Sequence, residues 1–277
     1  MIVSTYAQPT IPKEKIPSNI PADTKKLLEQ LYSEEIDERE EAIRALGEAH
    51  VREVLPFLLS ILNDGPHYCT RRSAILQGTA WVDTTSELCA QAILKIADEQ
   101  TFELLLGMLK DKDEGARCNA AKLLGEIGDA RAIDLLLNAL QDENSWVRES
   151  VVEALGKIKD PRVTDILIPV LKDGKDSYVF ENAAIALVKT GDPRATDVLL
   201  DLLKQSDCAR QDAAAGALGQ IKEPRVVDAL IAALNDKNSI SAEHVWFALK
   251  EITKKDFGLD QKKWQEWWNA NRVTVQH

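Results

Sequence analysis

The sequence predicts an all-α fold: a right-handed α-solenoid of about six two-helix repeats, closed by capping helices at its N- and C-terminal ends. Three observations predict it. One phrase recurs, as Leu-Leu-Gly-Glu-Ile-Gly-Asp-Ala-Arg at 123–131, Ala-Leu-Gly-Lys-Ile-Lys-Asp-Pro-Arg at 154–162, Ala-Leu-Val-Lys-Thr-Gly-Asp-Pro-Arg at 186–194 and Ala-Leu-Gly-Gln-Ile-Lys-Glu-Pro-Arg at 217–225. Its arginines, Arg131, Arg162, Arg194 and Arg225, lie 31, 32 and 31 residues apart, a period at which each unit buries its apolar face only against its neighbours. After each arginine the apolar residues follow i, i+3, i+4 spacing, the mark of a helix with a wide buried stripe. Composition agrees, with aromatics at 5% and hydrophobics at 45%, mostly the aliphatic residues that suit stacked helices.

The elements follow in chain order. Residues 1–22 carry Pro9, Pro12, Pro17 and Pro21 mixed with Lys and Ser, which cannot sustain a helix and favours an extended arm. The remainder, 23–277, reads as a single solenoid, opened by a capping helix from Asp23 to Tyr32. Six units run from about 37 to 236. In the first, Gly47 to Asp64 aligns without a gap on Gly125 to Asp142, and Leu46 falls into register with Leu124, Leu155, Leu187, Leu218 and Leu249. A weaker copy, Ala92 to Asp98, precedes Gln100 to Asp111.

The fourth unit shows the construction. Val147, Val151, Ala154, Leu155 and Ile158 share one face of a first helix, and Val163 to Leu171 form a second. Between them stands Asp-Pro-Arg. Proline has no N–H to donate inside a helix but suits a first turn, and Asp160 or Asp192 just before it can cap. The turn is therefore tight and the helices antiparallel. At the far end Trp264, Trp267 and Trp268 sit at i, i+3, i+4 behind Asp260; such a stripe buries a large area quickly, so 254–272 reads as a Trp-rich cap with Phe257 packed beneath it.

Those phrases resemble HEAT repeats, and more narrowly the short HEAT-like units first described in phycobilisome bilin lyases. The residues that carry the resemblance are an Asp-x-x-x-Val-Arg entry, closest at Asp142 to Arg148, the Ala-Leu-Gly-x-Ile centre, the Asp-Pro-Arg turn and a Leu-Leu-x-x-Leu-x-Asp exit, over about Ser33 to Thr253. The resemblance implies the fold. For function it implies several roles, since scaffolds, regulators, bilin lyase subunits and a di-iron hydroxylase share the unit.

Charge narrows the partners. With 45 acidic against 34 basic residues the net charge is −11, which opposes a polyanion, so nucleic acid is not expected. Three residues after each turn arginine stand Asp134, Asp165, Asp197 and Asp228, with Glu103 in the weaker unit. Second helices of HEAT units line a concave face, so this row is a candidate wall for a protein partner with a basic surface. The competing reading is structural: an acid in a first turn complements the helix dipole and can pair with the arginine three residues earlier. The turn arginines and the entry arginines Arg39, Arg117 and Arg148 recur with the repeat and read as hydrogen-bond ladders between units.

Departures from the rhythm are the other candidates. Roughly 16 extra residues lie between Asp64 and Asp83. This insertion, about 64–83, gathers Tyr68, Arg71, Arg72 and Trp81, residue types suited to anchoring a partner. Trp146 and Tyr178 occupy one equivalent position near the start of a first helix and either cover the core's edge or form a contact patch.

Catalytic patterns are thin. Cys69, Cys89, Cys118 and Cys208 include no Cys-x-x-Cys pair, and the four histidines no His-x-x-x-His or His-Glu dipeptide; no metal, cofactor or catalytic residue is assigned. No 18-residue apolar run and no basic, apolar leader is seen, so neither membrane insertion nor a signal peptide is expected, and a cytoplasmic location is. The favoured reading is a non-catalytic protein-binding scaffold, adaptor or assembly factor. The alternative, resting on the repeat type alone, is a bilin-lyase-like protein acting on a tetrapyrrole-carrying client.

Overall fold

The computed structural model describes residues 8–64, 84–173, 177–205, 207–234 and 242–272. Among these residues there are fifteen α-helices, three short 3-10 helices and no strand. The chain divides into two compact units, 1–154 and 155–277.

The first unit holds α1 (Ala22–Gln30), α2 (Ile36–Ala49), α3 (Leu55–Asp64), α4 (Thr84–Ile96), α5 (Glu99–Met108), α6 (Glu114–Ile127) and α7 (Ile133–Ala139). Helix α8 (Ser145–Lys157) runs across the boundary. The second unit continues with α9 (Arg162–Asp173), α10 (Ser177–Lys189), α11 (Arg194–Leu202), α12 (Cys208–Leu218), α13 (Pro224–Ala233), α14 (Ala242–Thr253) and α15 (Gln261–Asn271). Helices α2 to α13 make the six helix pairs that the period predicts, an all-α architecture.

The recurring phrase has a packing meaning. Leu46, Ile93, Leu124, Leu155, Leu187, Leu218 and Leu249 are all 0% exposed, so the register leucine is the centre of each layer. Where a glycine follows it, that glycine meets the alanine before the next register residue. A Cβ on Gly125 would stand 2.6 Å from the Cα of Ala154, and one on Gly156 2.6 Å from the Cβ of Ala186. Gly47 meets Ala92 at 2.9 Å and Gly219 meets Ala248 at 3.1 Å in the same way. Successive first helices thus approach backbone to backbone, and a side chain at the glycine would wedge them apart.

Both ends are covered. Beside α1, whose Leu28 is fully buried, residues 8–11 of the N-terminal arm lie against the fold: Gln8 Nε2 donates to the carbonyls of Tyr32 and Ser33, both at 3.1 Å, and the Tyr32 hydroxyl donates to Ile11 O. At the other end Trp264 and Trp268 are 0% exposed, and Phe257 meets the Trp264 ring edge-on at 4.9 Å. Rings of this size bury roughly 150–250 Å² each, on the order of 4–6 kcal/mol before chain entropy is counted.

Candidate functional site

The turns between paired helices concentrate the charged side chains. In three of them an aspartate accepts the backbone N–H of the arginine two residues on, Asp129 from Arg131, Asp160 from Arg162 and Asp192 from Arg194, each at 2.9 Å. The same carboxylates accept Nε of those arginines at 3.0–3.1 Å. Held first by the guanidinium and then by the N–H, the Asp129 and Asp160 carboxyls fall below the usual range, and Asp192 falls to about 2.

Three turn arginines also reach the preceding repeat. Arg194 Nη1 donates to Asp165 at 2.8 Å, Arg225 Nη1 to Asp197, and Arg131 Nη2 to Glu99 at 3.0 Å. Arg131 in addition lies over the Phe102 ring, 4.5 Å from its centre. Asp165 and Asp197 of the acid row are therefore partnered by the next turn's arginine, not by the one three residues earlier. Asp228, in the last repeat, accepts the Trp268 indole N–H at 2.7 Å and pairs with Arg272. The terminal cap supplies what another repeat would have supplied. These pairs are open to water, with side chains 54% and 67% exposed for Arg194 and Asp165, so each contributes little stability by itself.

Entry arginines do something different. Arg39, Arg117 and Arg148 each turn back to donate Nη1 to the carbonyls five and six residues earlier, at 2.6–3.1 Å. These are loop carbonyls between one repeat and the next, which would otherwise lack partners. Gln211 takes that place in the sixth repeat, donating to Leu203 O at 3.3 Å and to Gln205 O. Arg117 is nearly buried and forms a fork with Asp142 at 2.8 and 2.9 Å, the geometry of a strong ion pair; the hydrogen bond to Asp142 raises its pKa.

Glu103 on α5 and Asp134 on α7 are exposed, and each helix also exposes a large apolar side chain, Leu104 at 43% and Leu137 at 42%. Trp146, at the start of α8, is likewise 41% exposed. The side chain of Tyr178 and the whole of Tyr68, Arg71, Arg72 and Trp81 lie outside the described residues. Among the described residues no three His, Cys, Asp or Glu side chains converge as a metal would require, and no helix is long and apolar enough to cross a membrane.

Sequence reasoning passed over one feature. In the second unit a cleft of about 700 Å³ opens at the turn edge, lined by Lys157, Ile158, Lys159, Thr164, Lys189 and Thr190 together with the two Asp-Pro turns at 160–161 and 192–193. The signal was present in the sequence: the third residue after the register position is Ala49 in the first unit and Ile96, Ile127, Ile158, Ile221 and Ile252 later, but Thr190 here.

A family profile described as HEAT repeats matches residues 84–150, 103–188, 133–215 and 176–250. No curated protein matches the chain. Among solved structures, the complex of CpcE and CpcF of phycocyanin lyase from Nostoc sp. PCC7120 is 21% identical, with 92% of this chain and 98% of that chain covered and a TM-score of 0.40. Kap121p is 16% identical with a TM-score of 0.54, over 86% of this chain and 29% of that one. Kap121p bound to RanGTP is 15% identical at 0.52, over 87% and 30%. The present chain thus spans under a third of Kap121p, and the likeness is one of fold.

Proposed function

The chain belongs to the HEAT-repeat family, and from that premise we propose that it is a non-catalytic protein-interaction scaffold, an adaptor or assembly factor of the cytoplasm. We take residues 23–277 as one array, because the 31-residue interval from Arg131 to Arg162 runs through the boundary between the two units. The proposed docking face is in the first unit, on α5 and α7.

The distribution of charge carries this reading. Residues 155–277 hold 18 acidic and 18 basic side chains, so residues 1–154, with 27 acidic and 16 basic, carry the entire net charge of −11. In the second unit the row of acids is matched by Arg194, Arg225 and Arg272. In the first unit Glu103 and Asp134 stand exposed beside Leu104 and Leu137. Carboxylates next to exposed leucines suit a protein whose surface is basic with an apolar centre. Trp146 and the 64–83 insertion, with Tyr68, Arg71, Arg72 and Trp81, would extend that contact, and Tyr178 would be a contact of its own on the second unit.

The test is capture from the native host with the full chain as bait, followed by rebinding of the identified protein in purified form. Glu103→Lys with Asp134→Lys is expected to abolish rebinding while the circular dichroism spectrum and melting curve stay those of the parent. A folded variant that keeps the partner at parental affinity overturns the reading.

A further inference from the structure

The turn-edge cleft of the second unit breaks the repeat with two hydroxyls. Thr190 stands where four other units and the helix after the sixth have isoleucine, and Thr164 stands where Ile133 and Val227 follow their turn arginines; Thr196, the threonine at that place in the fifth repeat, donates instead to Glu223 at 3.0 Å. Thr164 is 0% exposed; its Oγ1 donates to Thr190 Oγ1 at 3.2 Å, and Thr190 donates onward to Leu187 O at 2.7 Å. Two aliphatic contacts between neighbouring repeats have become polar at the place where a cleft of about 700 Å³ opens, a volume within the range of ligand sites.

The charge of the cleft can be read group by group. Its carboxylates, Asp160 and Asp192, already hold Arg162 and Arg194. Lys159 and Lys189, both exposed, add positive charge beyond those pairs. The ligand is therefore anionic, and the donors that remain define which anion. Phosphate sites use forks of guanidinium or nests of backbone N–H groups. Here the guanidinium groups are engaged, and the N–H groups of Asp160, Gly191 and Asp192 go to Ile158 O, Val188 O and Thr190 Oγ1 at 3.0, 3.1 and 3.3 Å. What is left is flexible ammonium groups beside the apolar walls of Ile158, Pro161 and Pro193. That combination suits carboxylates carried next to apolar side chains.

We propose that the turn-edge cleft between the fourth and fifth repeats binds an acidic peptide segment of a protein partner. Lys159 and Lys189 pair with its carboxylates, and Ile158, Pro161 and Pro193 receive an adjoining apolar side chain. The site is separate from the Glu103 and Asp134 face, so its failure leaves that reading standing.

Fluorescence anisotropy of the full chain with a labelled peptide of repeated Glu-Leu-Asp tests it, with a Gln-Leu-Asn peptide as control. Binding is expected for the acidic peptide only, weakening as salt rises. Lys159→Glu with Lys189→Glu is expected to weaken it by about tenfold or more. Thr190→Ile restores the residue of the other repeats and fills the cleft; a loss of about fivefold is expected, with the melting temperature at or above that of the parent. The proposal is overturned if the parent does not bind, if the control binds equally, if either variant binds like the parent, or if inorganic phosphate or an oligonucleotide displaces the peptide as readily as unlabelled peptide does.

Discussion

Replacing Gly156 with alanine is expected to destabilise the second unit, and the same replacement at Gly216 to stabilise it. Both glycines lie in first helices, so alanine brings each the same gain in helix propensity, about 1 kcal/mol. What differs is the space. At Gly216 nothing lies within 4 Å of a new Cβ, and the gain stands alone. At Gly156 the Cβ would fall 2.6 Å from Ala186 Cβ and 2.9 Å from Ala186 Cα, against about 3.5–4.0 Å for carbon atoms at rest. No flexible side chain can move aside, so α8 and α10 must separate by roughly 1 Å. Overpacking of that kind costs about 1–3 kcal/mol, and with the repacking loss along the helix pair the net is expected near 1–2 kcal/mol unfavourable. Urea denaturation followed by circular dichroism reads both. With a slope of about 2 kcal/mol per molar, the midpoint falls by about 0.5–1 M for Gly156→Ala and rises by about 0.5 M for Gly216→Ala. If Gly156→Ala melts at or above the parent, or if both midpoints move alike, the close approach is not what the glycine provides.

Two further outcomes follow from the ion pairs. Arg117→Ala is expected to cost about 3 kcal/mol, since it strands Asp142, 11% exposed, and frees two loop carbonyls; Arg194→Ala, at an exposed pair, is expected to leave the urea midpoint close to that of the parent. Comparable midpoints for the two variants in urea would contradict the ranking. Asp192, held near pH 2 by Arg194, has a folded pKa below its unfolded value of about 3.9. Its contribution to stability is therefore full above about pH 4 and lost as pH falls towards 2. Asp192→Asn should flatten the fall of the urea midpoint between those values, and an unchanged slope would show that the carboxylate is not the titrating group.

Much of this fold is legible in the residues because a repeat states its own alignment. The register leucines, the Asp-Pro-Arg turns and the tryptophan stripe could each be placed from spacing, since helical periodicity and proline chemistry act within a few residues. Pairings between repeats are not local, and there the reading of the acid row went astray. Asp165 lies three residues from Arg162 and one helical turn away, yet Arg162 is held by Asp160 and the partner of Asp165 is Arg194. The glycine of Ala-Leu-Gly was visible as a motif, but that it faces the alanine of the following repeat requires the stack itself. Thr190 broke a column of isoleucines in plain view. Its meaning depended on Thr164, 26 residues upstream, lying across the contact.

The way the last repeat ends bears on how such chains lengthen. Asp228 meets Trp268 and Arg272 where the acids before it meet a turn arginine, so the cap presents the same chemistry that an additional copy would. The boundaries draw on the same small set of contacts, an alanine over a glycine at 47/92, 125/154, 156/186 and 219/248, and a turn arginine over an acid of the preceding repeat at 131, 194 and 225. A tandem duplication in the gene that keeps the 31-residue frame therefore creates no boundary of a new kind, and its product inherits a working terminus. A duplication out of frame sets a side chain over the glycine and leaves a carboxylate without its cation. The packing thus constrains the phase of an added unit more tightly than the number of units.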